Sequence, residues 1–574
     1  MRVRRARSCV AAFPFVVAVL AGPHVAAQEG ASREASAVVG PRYFHPPRAV
    51  EPARETFDVA VYGGTPAGVT AAVQAARMGK RVVLLAFGDF VGGLTSGGLT
   101  ATDVGNRDSI GGLAAEFYQR VGELRDFRPK RAEALFRRML EEAGCTVAFR
   151  SHLDTAKVDD ARIASITLLD GREVAAEVFV DATYEGDLLA AVGVAYRVGR
   201  EPRAAYDESL GGQWQEVSWQ GVYQFCGLPI DPYVELGNPD SGLLSEIAAD
   251  PAGESGQGDH RVQAYNFRLF LSDGPDRVPF PEPQDYDPAR YALLARFLRS
   301  DPRITWTLNY TTRPLTDGPV QLRVGDSNNA GSFSSDYVGG SHRWPDGTFS
   351  PESFDELPAP RRGLPMPMAE LYRLRERIFQ DHVRYQQGLM HFLANDPRVP
   401  GELQTRVRRF GLDPEEFAAS GHWPHALYVR EGRRMVSSYV MTQANCEGRE
   451  VVPDSVGLAS YPMDSHFCQR VVVEVDGQAT VRNEGGFGHP CAGPYPVSYR
   501  AIVPRRAECR NLLVPVCLSA SHVAYGSIRM EPVFMILGQS AGTAACLAIE
   551  AGAAVQDVAP AALKERLLAA GQRL

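Results

Sequence analysis

A glycine-rich turn is the first feature of the sequence whose residue types suggest a chemistry. The turn Gly63-Gly64-Thr65-Pro66-Ala67-Gly68 follows an apolar run and opens a helical pattern. Gly63 permits a tight turn, Gly68 permits close helix–strand packing, and the N–H groups of a helix start favour a diphosphate. Thr65 stands where the usual pattern has its second glycine. The turn predicts a dinucleotide site, with a plain strand–helix turn as the alternative.

The expected ribose contact also departs from the usual pattern. An acid normally ends the second strand of such a unit and holds a ribose hydroxyl. That place falls at Ala86 or Phe87, and the nearest acid is Asp89. We therefore expect the ribose to be held by Asp89 or in some other way.

Three later segments carry residues suited to the rest of a dinucleotide. A second glycine-rich stretch runs from Val91 to Gly98, a predicted strand leads into the turn 181–187, and a small-residue helix begins near Glu531. Small residues allow close backbone approach, and hydroxyls suit phosphate or polyol oxygens. For the helix, packing for purely structural reasons is the alternative. The predicted cofactor contacts outside the first turn are Asp89, Gly92, Gly93, Thr95, Ser96, Val147, Asp181, Ala182, Thr183, Gly186, Glu531, Gly538 and Gly542.

Candidate proton-transfer groups lie in the second half of the chain. His466 is a candidate general base with Asp464 as its orienter, a pair that suits oxidation of an alcohol or amine. The alternative is a structural histidine. His522, Tyr525 and Arg529 precede the small-residue helix and are further catalytic candidates.

Arginines provide candidate substrate contacts. Arg433 and Arg434 suit an anionic substrate such as a carboxylate or uronate, or else belong to a salt-bridged helix. Arg529 has a structural alternative too, an ion pair with Glu531. We find no metal-binding motif and therefore predict no metal site.

Alternating strands and helices must position these groups. A strand at 57–62, a helix at 66–78 and a strand at 81–85 predict a βαβ unit with buried parallel strands. Strand patterns at 163–169 and 173–180 flank Asp170-Gly171, a hairpin turn. A strand at 511–516 and a helix from Glu531 resemble the first unit, so the C-terminal segment is expected to pack back onto it.

These patterns predict an α/β fold divided into several regions. We expect a signal peptide at 1–27, a flexible lead-in at 28–56, and a Rossmann-type dinucleotide-binding domain at 57–200 completed by 495–574. The domain should contain a parallel sheet and a small antiparallel sheet. Residues 201–494 are aromatic, proline-rich and irregular, and are expected to form an inserted α+β substrate domain.

The N-terminal sequence indicates where the protein is located, and the composition limits the partners that it can bind. Arg2, Arg4, Arg5 and Arg7 precede a short apolar run and the small residues Val25-Ala26-Ala27, which predicts export to the periplasm or the exterior by the Sec or the twin-arginine route. A net charge of -8, without a basic block in the body of the chain, argues against nucleic acid as a partner. Once the signal is removed, no membrane span is expected, and the oligomeric state stays open.

The segments 62–68, 92–98, 180–187 and 529–545 together resemble the FAD-dependent oxidoreductase family, whose members are often secreted bacterial proteins, some labelled xanthan lyases. The resemblance implies FAD rather than NAD and a fold related to glutathione reductase-like and fumarate reductase-like flavoproteins. The resemblance supports redox chemistry without naming the reaction. From the exported context and from the arginines and aromatic residues of the inserted domain, we expect transfer of a hydride between flavin N5 and a small polar substrate, such as a sugar, a uronate, another organic acid or an amine. The helix start at Glu531 would face the reduced flavin.

The electron acceptor and the substrate stay undefined at this stage. Two other functions also stay open. One is a polysaccharide lyase with His466 and Tyr525 as base and acid, and the other is a non-catalytic binding protein on a flavoprotein fold.

Overall fold

The computed structural model describes residues 40–574 with gaps, and the signal-peptide prediction at 1–27 lies outside the described residues. The gaps are 48–49, 52, 100–101, 123, 125–126, 215–223, 252, 301–308, 311–312, 315–322, 329–332, 334 and 339–365.

The strands alternate with helices in the first part of the chain and are short and irregular afterwards. Their bounds are β1 (Arg54–Tyr62), β2 (Val82–Leu85), β3 (Thr146–Ala148), β4 (Leu153–Asp159), β5 (Arg162–Leu168), β6 (Glu173–Asp181), β7 (Tyr196–Arg197), β8 (Phe270–Ser272), β9 (Asn309–Tyr310), β10 (Arg313–Pro314), β11 (Arg323–Asn328), β12 (Gly411–Leu412), β13 (Arg434–Met435), β14 (Ser455–Ala459), β15 (Met463–Ser465), β16 (Gln469–Val475), β17 (Gln478–Glu484), β18 (Phe487–His489), β19 (Tyr495–Ser498) and β20 (Leu512–Leu513).

The helices include two long ones, α7 and α11. Their bounds are α1 (Pro66–Arg77), α2 (Gly93–Ser96), α3 (Gly112–Val121), α4 (Pro129–Ala143), α5 (Asp187–Ala191), α6 (Ala292–Ser300), α7 (Met368–Asn395), α8 (Gly401–Arg408), α9 (Gln443–Cys446), α10 (His522–Ile528), α11 (Glu531–Ala551) and α12 (Pro560–Ala569).

A seven-stranded sheet carries the fold, in the order β3-β2-β1-β6-β5-β4 with β20 paired to β6. β1 pairs in parallel with β2 and β6, as predicted from the apolar runs. β5 and β6 form the predicted hairpin, so the antiparallel strands extend the same sheet. The predicted Rossmann-type α/β fold is confirmed. β1 begins at Arg54, three residues before the predicted start.

The helix α11 of the C-terminal segment packs against α1, as the return of the βα pattern predicts. A Cβ atom on Gly538 would lie 2.2 Å from Ala67 O, and one on Gly542 would lie 2.4 Å from Ala71 O. Only glycine permits this close approach of two helix backbones. α11 is long and apolar enough to cross a membrane, but 89% of that stretch is buried inside the protein, as in a core helix.

A second apolar core lies in the segment between the two parts of the nucleotide-binding unit. Phe267, Tyr265 and Trp423 are buried there against α7. The long helix α7 also contacts the residues that precede β1, because Glu376 Oε2 accepts hydrogen bonds from the Tyr43 and Phe44 N–H groups, each at 2.8 Å.

Candidate functional site

A cleft opens where β1, β2 and β6 end, which is the edge at which parallel sheets bind ligands. Its floor is formed by Gly63, Gly64 and Thr65 after β1, Phe87 and Gly88 after β2, and the turn 183–185 after β6. Residues 425–427, Val429 and Phe379 of α7 form part of the opposite wall. The turn predicted from the sequence therefore lies in this cleft.

The first turn fits a backbone-bound diphosphate. Gly63 has a φ of 113°, and a Cβ atom there would lie 2.6 Å from the Ala182 carbonyl carbon. Thr65 is the N-cap of α1: its hydroxyl accepts the Gly68 N–H at 3.2 Å and donates to Ala182 O at 2.6 Å. The threonine that replaces the second glycine thus joins the β1 turn to the β6 turn and caps the helix.

The ribose contact predicted at Asp89 stays a prediction, and Asp89 already has a partner in the protein. It forms a bidentate ion pair with Arg150, at 2.7 and 2.8 Å, and this hydrogen bonding lowers the pKa of its carboxyl. Ala86 is fully buried beside Gly64, so no acid reaches the cleft from that position either. Val147 lies in β3 opposite Leu84, next to this end of the sheet.

The turn after β6 is held by its own side chains. Asp181 Oδ1 accepts the Thr183 N–H and hydroxyl at 3.1 and 2.7 Å, and Asp181 Oδ2 accepts the Leu189 N–H at 2.9 Å. Burial raises the pKa of Asp181 to about 6. The Thr183 hydroxyl accepts the Gly186 N–H at 2.8 Å. Asp181 and Gly186 therefore shape the turn, while Thr183 lines the cleft.

The second glycine segment meets the start of α11 through Glu531. Thr95 Oγ1 donates to Glu531 Oε2 at 3.0 Å, and the Tyr184 hydroxyl donates to Glu531 Oε1 at 2.8 Å. Burial raises the pKa of Glu531 to about 7. Tyr184 lines the cleft and its hydroxyl also accepts the Leu94 N–H at 3.0 Å. Tyr184 was not predicted as a site residue, although it lies in the predicted turn 181–187.

Other small residues predicted as cofactor contacts have packing roles. Gly538 and Gly542 face the backbone of α1, which supports the structural alternative for that helix. A Cβ atom on Gly92 would lie 2.3 Å from the Phe136 ring, and the Ser96 hydroxyl donates to Val91 O at 2.6 Å. Gly93 does line the cleft, where a Cβ atom would lie 2.3 Å from the Tyr184 hydroxyl.

The candidate base His466 has a different orienter from the predicted one. Its Nδ1 lies 2.6 Å from Asp336 Oδ2, whereas its Nε2 lies 3.6 Å from Asp464 Oδ2. Although burial acts in the opposite direction, Arg430 and His466 lower the pKa of Asp336. An ionised carboxylate only accepts hydrogen bonds, so His466 Nδ1 carries the proton and Nε2 keeps its lone pair.

The environment of His466 favours the neutral ring. Burial lowers the pKa of His466 and the positive charge of Arg430 lowers it further, while Asp336 and Asp464 act in the opposite direction. Asp464, the predicted orienter, accepts a hydrogen bond from Arg529 Nη2 at 2.9 Å. Arg529 therefore pairs with Asp464 and not with Glu531, the structural partner considered from the sequence.

Three arginines surround the ring of Tyr428. The guanidinium carbons of Arg430, Arg268 and Arg529 lie 4.5, 5.8 and 5.9 Å from the ring centroid. Arg529 Nη1 also donates to the Tyr428 hydroxyl at 2.8 Å. We call Arg268, Tyr428, Arg430, Asp464, His466 and Arg529, with Asp336, the arginine–histidine cluster. Asp336 was not predicted from the sequence, because its proximity to His466 depends on a contact between distant segments.

The arginine–histidine cluster lies next to the cleft. Tyr428 packs against Leu94 and Leu99 of the second glycine segment, and Tyr184 borders the same apolar group. Leu427 and Val429, the neighbours of Tyr428 in the chain, line the cleft. Tyr428 therefore connects the cluster to residues that border the cleft.

His522 and Tyr525 belong to a buried network, and their predicted catalytic role stays a prediction. His522 Nδ1 lies 2.9 Å from Glu431 Oε2, and its Nε2 lies 3.3 Å from the Ser465 hydroxyl. Tyr525 donates to Val516 O at 3.2 Å, and burial raises the pKa of its hydroxyl. Among the described residues that line the cleft, neither His522 nor Tyr525 is present.

Arg433 and Arg434 both have partners within the protein, and their predicted contact with substrate stays a prediction. Arg434 is 1% exposed, and its Nη1 donates to Glu201 at 2.7 Å and to Ala520 O at 2.8 Å. Arg433 Nη1 donates to Asp187 at 3.0 Å and to Glu185 O at 2.9 Å. The contacts of Arg433 stabilise the turn after β6.

Comparisons with known proteins place the chain in a family. The model of the family described as "FAD dependent oxidoreductase" matches residues 58–567. No curated protein is significantly similar in sequence.

Solved structures match only a part of the chain. THI4 of Thermovibrio ammonificans has 20% identity and a TM-score of 0.21, over 25% of this chain and 64% of that one. NikD, an amino acid oxidase of nikkomycin biosynthesis, has 20% identity and a TM-score of 0.19, over 26% and 57%. OxyS anhydrotetracycline hydroxylase of Streptomyces rimosus has 17% identity and a TM-score of 0.20, over 26% and 36%. The chain therefore spans less than two thirds of each of these structures. On the match to the family model, the chain belongs to the FAD-dependent oxidoreductase family, and its cofactor is FAD.

Proposed function

We propose that this protein is an exported oxidoreductase that transfers a hydride between a carbon bearing a hydroxyl or amine and N5 of FAD. The observation that carries the proposal is the neutral, oriented imidazole of His466 in the cluster beside the cleft. A base of this kind removes the hydroxyl or amine proton as the neighbouring C–H bond is broken.

Residues of the cleft suit the cofactor. The Gly63–Thr65 turn and the start of α1 offer N–H groups to the diphosphate. The start of α11 contributes a positive dipole end near Tyr184, a suitable place for the flavin ring. Burial of these elements in one core fixes them before the cofactor binds.

The role of His466 follows from its two ring nitrogens. Asp336 holds Nδ1–H, so Nε2 is the atom that accepts a proton. Proton transfer to Nε2 makes an imidazolium, which the ionised Asp336 stabilises across the 2.6 Å contact. Asp464, 3.6 Å from Nε2, would stabilise the same charge from the other side.

The substrate class follows from the arginines. Arg268, Arg430 and Arg529 give the region around Tyr428 positive charge, although Arg430 is itself paired with Asp336 and Arg529 with Asp464. This charge favours an anion such as a uronate or another organic acid over a neutral sugar or an amine. In this proposal these residues, and not Arg433 and Arg434, supply the charge that selects the substrate. The electron acceptor is a separate, unidentified partner.

Export is part of the same proposal and depends on the basic and apolar pattern of residues 1–27. An acidic sugar or organic acid outside the cytoplasm is a suitable substrate for an enzyme there. The lyase alternative is not favoured, because Tyr525, its acid, donates its hydrogen bond to Val516 O inside the protein.

The variant His466→Ala tests the proposed base. We expect it to retain FAD, measured by visible absorbance, while substrate-dependent flavin reduction under anaerobic stopped flow slows by about 10²–10⁴-fold. His489→Ala is the matched control, because His489 also lies near a carboxylate, 3.7 Å from Glu447, but is exposed. Equal reduction rates in wild type and His466→Ala would remove His466 from the mechanism.

A further inference from the structure

The residues that precede β1 form part of the cleft wall. We call residues 40–47 the strap. Arg42, Tyr43 and His45 of the strap line the cleft together with Phe87 and Gly88, the residues that follow β2. The family model begins at residue 58, so the strap lies outside the part of the chain that the model matches.

The strap is fixed to α7 by hydrogen bonds at successive residues. Gln380 Nε2 donates to Pro41 O at 2.7 Å, and Glu376 Oε2 accepts the Tyr43 and Phe44 N–H groups. The Tyr43 hydroxyl donates to Glu185 at 3.3 Å, which joins the strap to the turn after β6. The strap is therefore held across the cleft from both sides.

Apolar contacts hold the strap against the end of β2 as well. Phe44 is 4% exposed and its ring stacks on Tyr372 of α7, with centroids 5.7 Å apart. Its edge contacts His152, with centroids 4.9 Å apart, and His152 in turn stacks on Phe87. Phe87 follows Ala86, which stands where the ribose-binding acid of such folds is expected.

Two polar side chains of the strap are available to a ligand in the cleft. Arg42 is exposed and has no ion-pair partner within the described part of the chain. Burial lowers the pKa of His45, and Arg150 and Arg42 act in the same direction. A neutral imidazole accepts a hydrogen bond from a hydroxyl, and a guanidinium binds phosphate oxygens.

We propose that the strap binds the adenosine diphosphate half of FAD, with Arg42 paired to the phosphate next to the adenosine and His45 accepting a ribose hydroxyl in place of the missing acid. Asp89 is less suited to this role, because both of its carboxylate oxygens already accept hydrogen bonds from Arg150. The proposal concerns cofactor affinity and is independent of the substrate and of the reaction that His466 serves.

Comparing FAD with FMN tests the proposal, because FMN has the flavin and one phosphate but lacks the adenosine part. Full-length protein freed of flavin is titrated with each nucleotide, and flavin fluorescence reports binding. We expect Arg42→Gln to weaken FAD binding by about ten-fold or more, the scale of one lost charged hydrogen bond, and His45→Ala to weaken it by about three- to ten-fold, the scale of one neutral hydrogen bond. Both variants should change FMN binding by less than about two-fold.

Arg54→Gln is the matched control, since Arg54 is an exposed arginine of β1, 3.8 Å from Glu173 and away from the cleft. It should bind both nucleotides like the wild type. Unchanged FAD affinity in Arg42→Gln and His45→Ala, or an equal loss of FAD and FMN affinity, would overturn the proposal.

Proteolysis of the wild type provides a test that needs no variant. Trypsin cleaves after Arg42 when the strap opens, and we expect FAD to slow this cleavage at least about five-fold more than saturating FMN does, since local opening is suppressed by a ligand of the closed state. Equal protection by the two nucleotides would contradict contact between the strap and the adenosine part. If a strap variant loses turnover but binds FAD like the wild type, the strap proposal is contradicted, and the residue acts in the proposed reaction instead.

Discussion

Glu531 provides a prediction whose magnitude can be worked out from the structure. Its carboxylate accepts hydrogen bonds from Tyr184 and Thr95, and it is 4% exposed at the start of α11. Burial raises its pKa from 4.5 to about 7. Between these values the folded protein binds more protons than the unfolded chain, so the free energy of unfolding falls as the pH rises.

The expected size follows from the linkage relation. One pKa unit corresponds to about 1.4 kcal/mol, and the shift of Glu531 costs the folded state about 3 kcal/mol once the pH exceeds 7. Between pH 5.5 and 8.5 the same relation gives a loss of about 2 kcal/mol. The variant Glu531→Gln keeps the shape of the side chain and does not titrate. The decrease in the free energy of unfolding that comes from Glu531 should therefore be absent in this variant.

The assay is urea unfolding followed by circular dichroism at pH 5.5 and 8.5, at one fixed FAD concentration because ligand binding shifts apparent stability. We expect the free energy of unfolding of Glu531→Gln, relative to that of the wild type, to be about 2 kcal/mol higher at pH 8.5 than at pH 5.5. Glu116→Gln is the control: hydrogen bonding to Arg77 lowers the pKa of Glu116, so it stays ionised across this range. If the two proteins differ in free energy of unfolding by the same amount at both pH values, the raised pKa of Glu531 is contradicted.

Two further predictions concern the base and the helix pair. Because burial and Arg430 lower the pKa of His466, the acidic limb of the kcat/KM profile should lie below pH 6.5, and a limb at or above 6.5 would exclude His466 as that base. Gly542→Ala should destabilise the protein by about 1–3 kcal/mol in urea unfolding, since the new Cβ would lie 2.4 Å from Ala71 O. Gly401→Ala, where nothing lies within 4 Å of the added atom, should change stability little, and equal effects would argue against the close contact of α1 and α11.

The elements around the first turn could be predicted because their signals are local. Apolar runs gave β1 and β2, Pro66 marked the helix start, and Asp170-Gly171 marked the hairpin. Each signal is a periodicity or a turn preference within a few residues. The positions of these elements in the sheet then follow from the right-handed βαβ rule.

The partners of charged side chains could not be predicted, because they depend on contacts between distant segments. Asp336 orients His466 although 130 residues separate them. Asp89 pairs with Arg150, which lies 61 residues away in the chain, because β2 and β3 are neighbours in the sheet. Asp464 lay close to His466 in the sequence, but its nearest cation is Arg529.

Small residues were ambiguous for a different reason. Glycine permits close approach of a backbone to a ligand and to another helix equally well, so Gly538 and Gly542 fitted both interpretations until α1 was placed against α11. At Gly63 the positive φ and the contact with Ala182 agree with the predicted turn.

Anaerobic titration of the FAD-loaded enzyme tests the central claim most directly. Small organic acids, uronates, sugars and amino acids are added while the visible absorbance of the flavin and the ultraviolet absorbance of any product are recorded. We expect at least one anionic compound with a hydroxyl or amine to bleach the flavin in the wild type, and to do so far more slowly in His466→Ala. Formation of an unsaturated, ultraviolet-absorbing product from an acidic polysaccharide, with the flavin remaining oxidised, would contradict hydride transfer as the function.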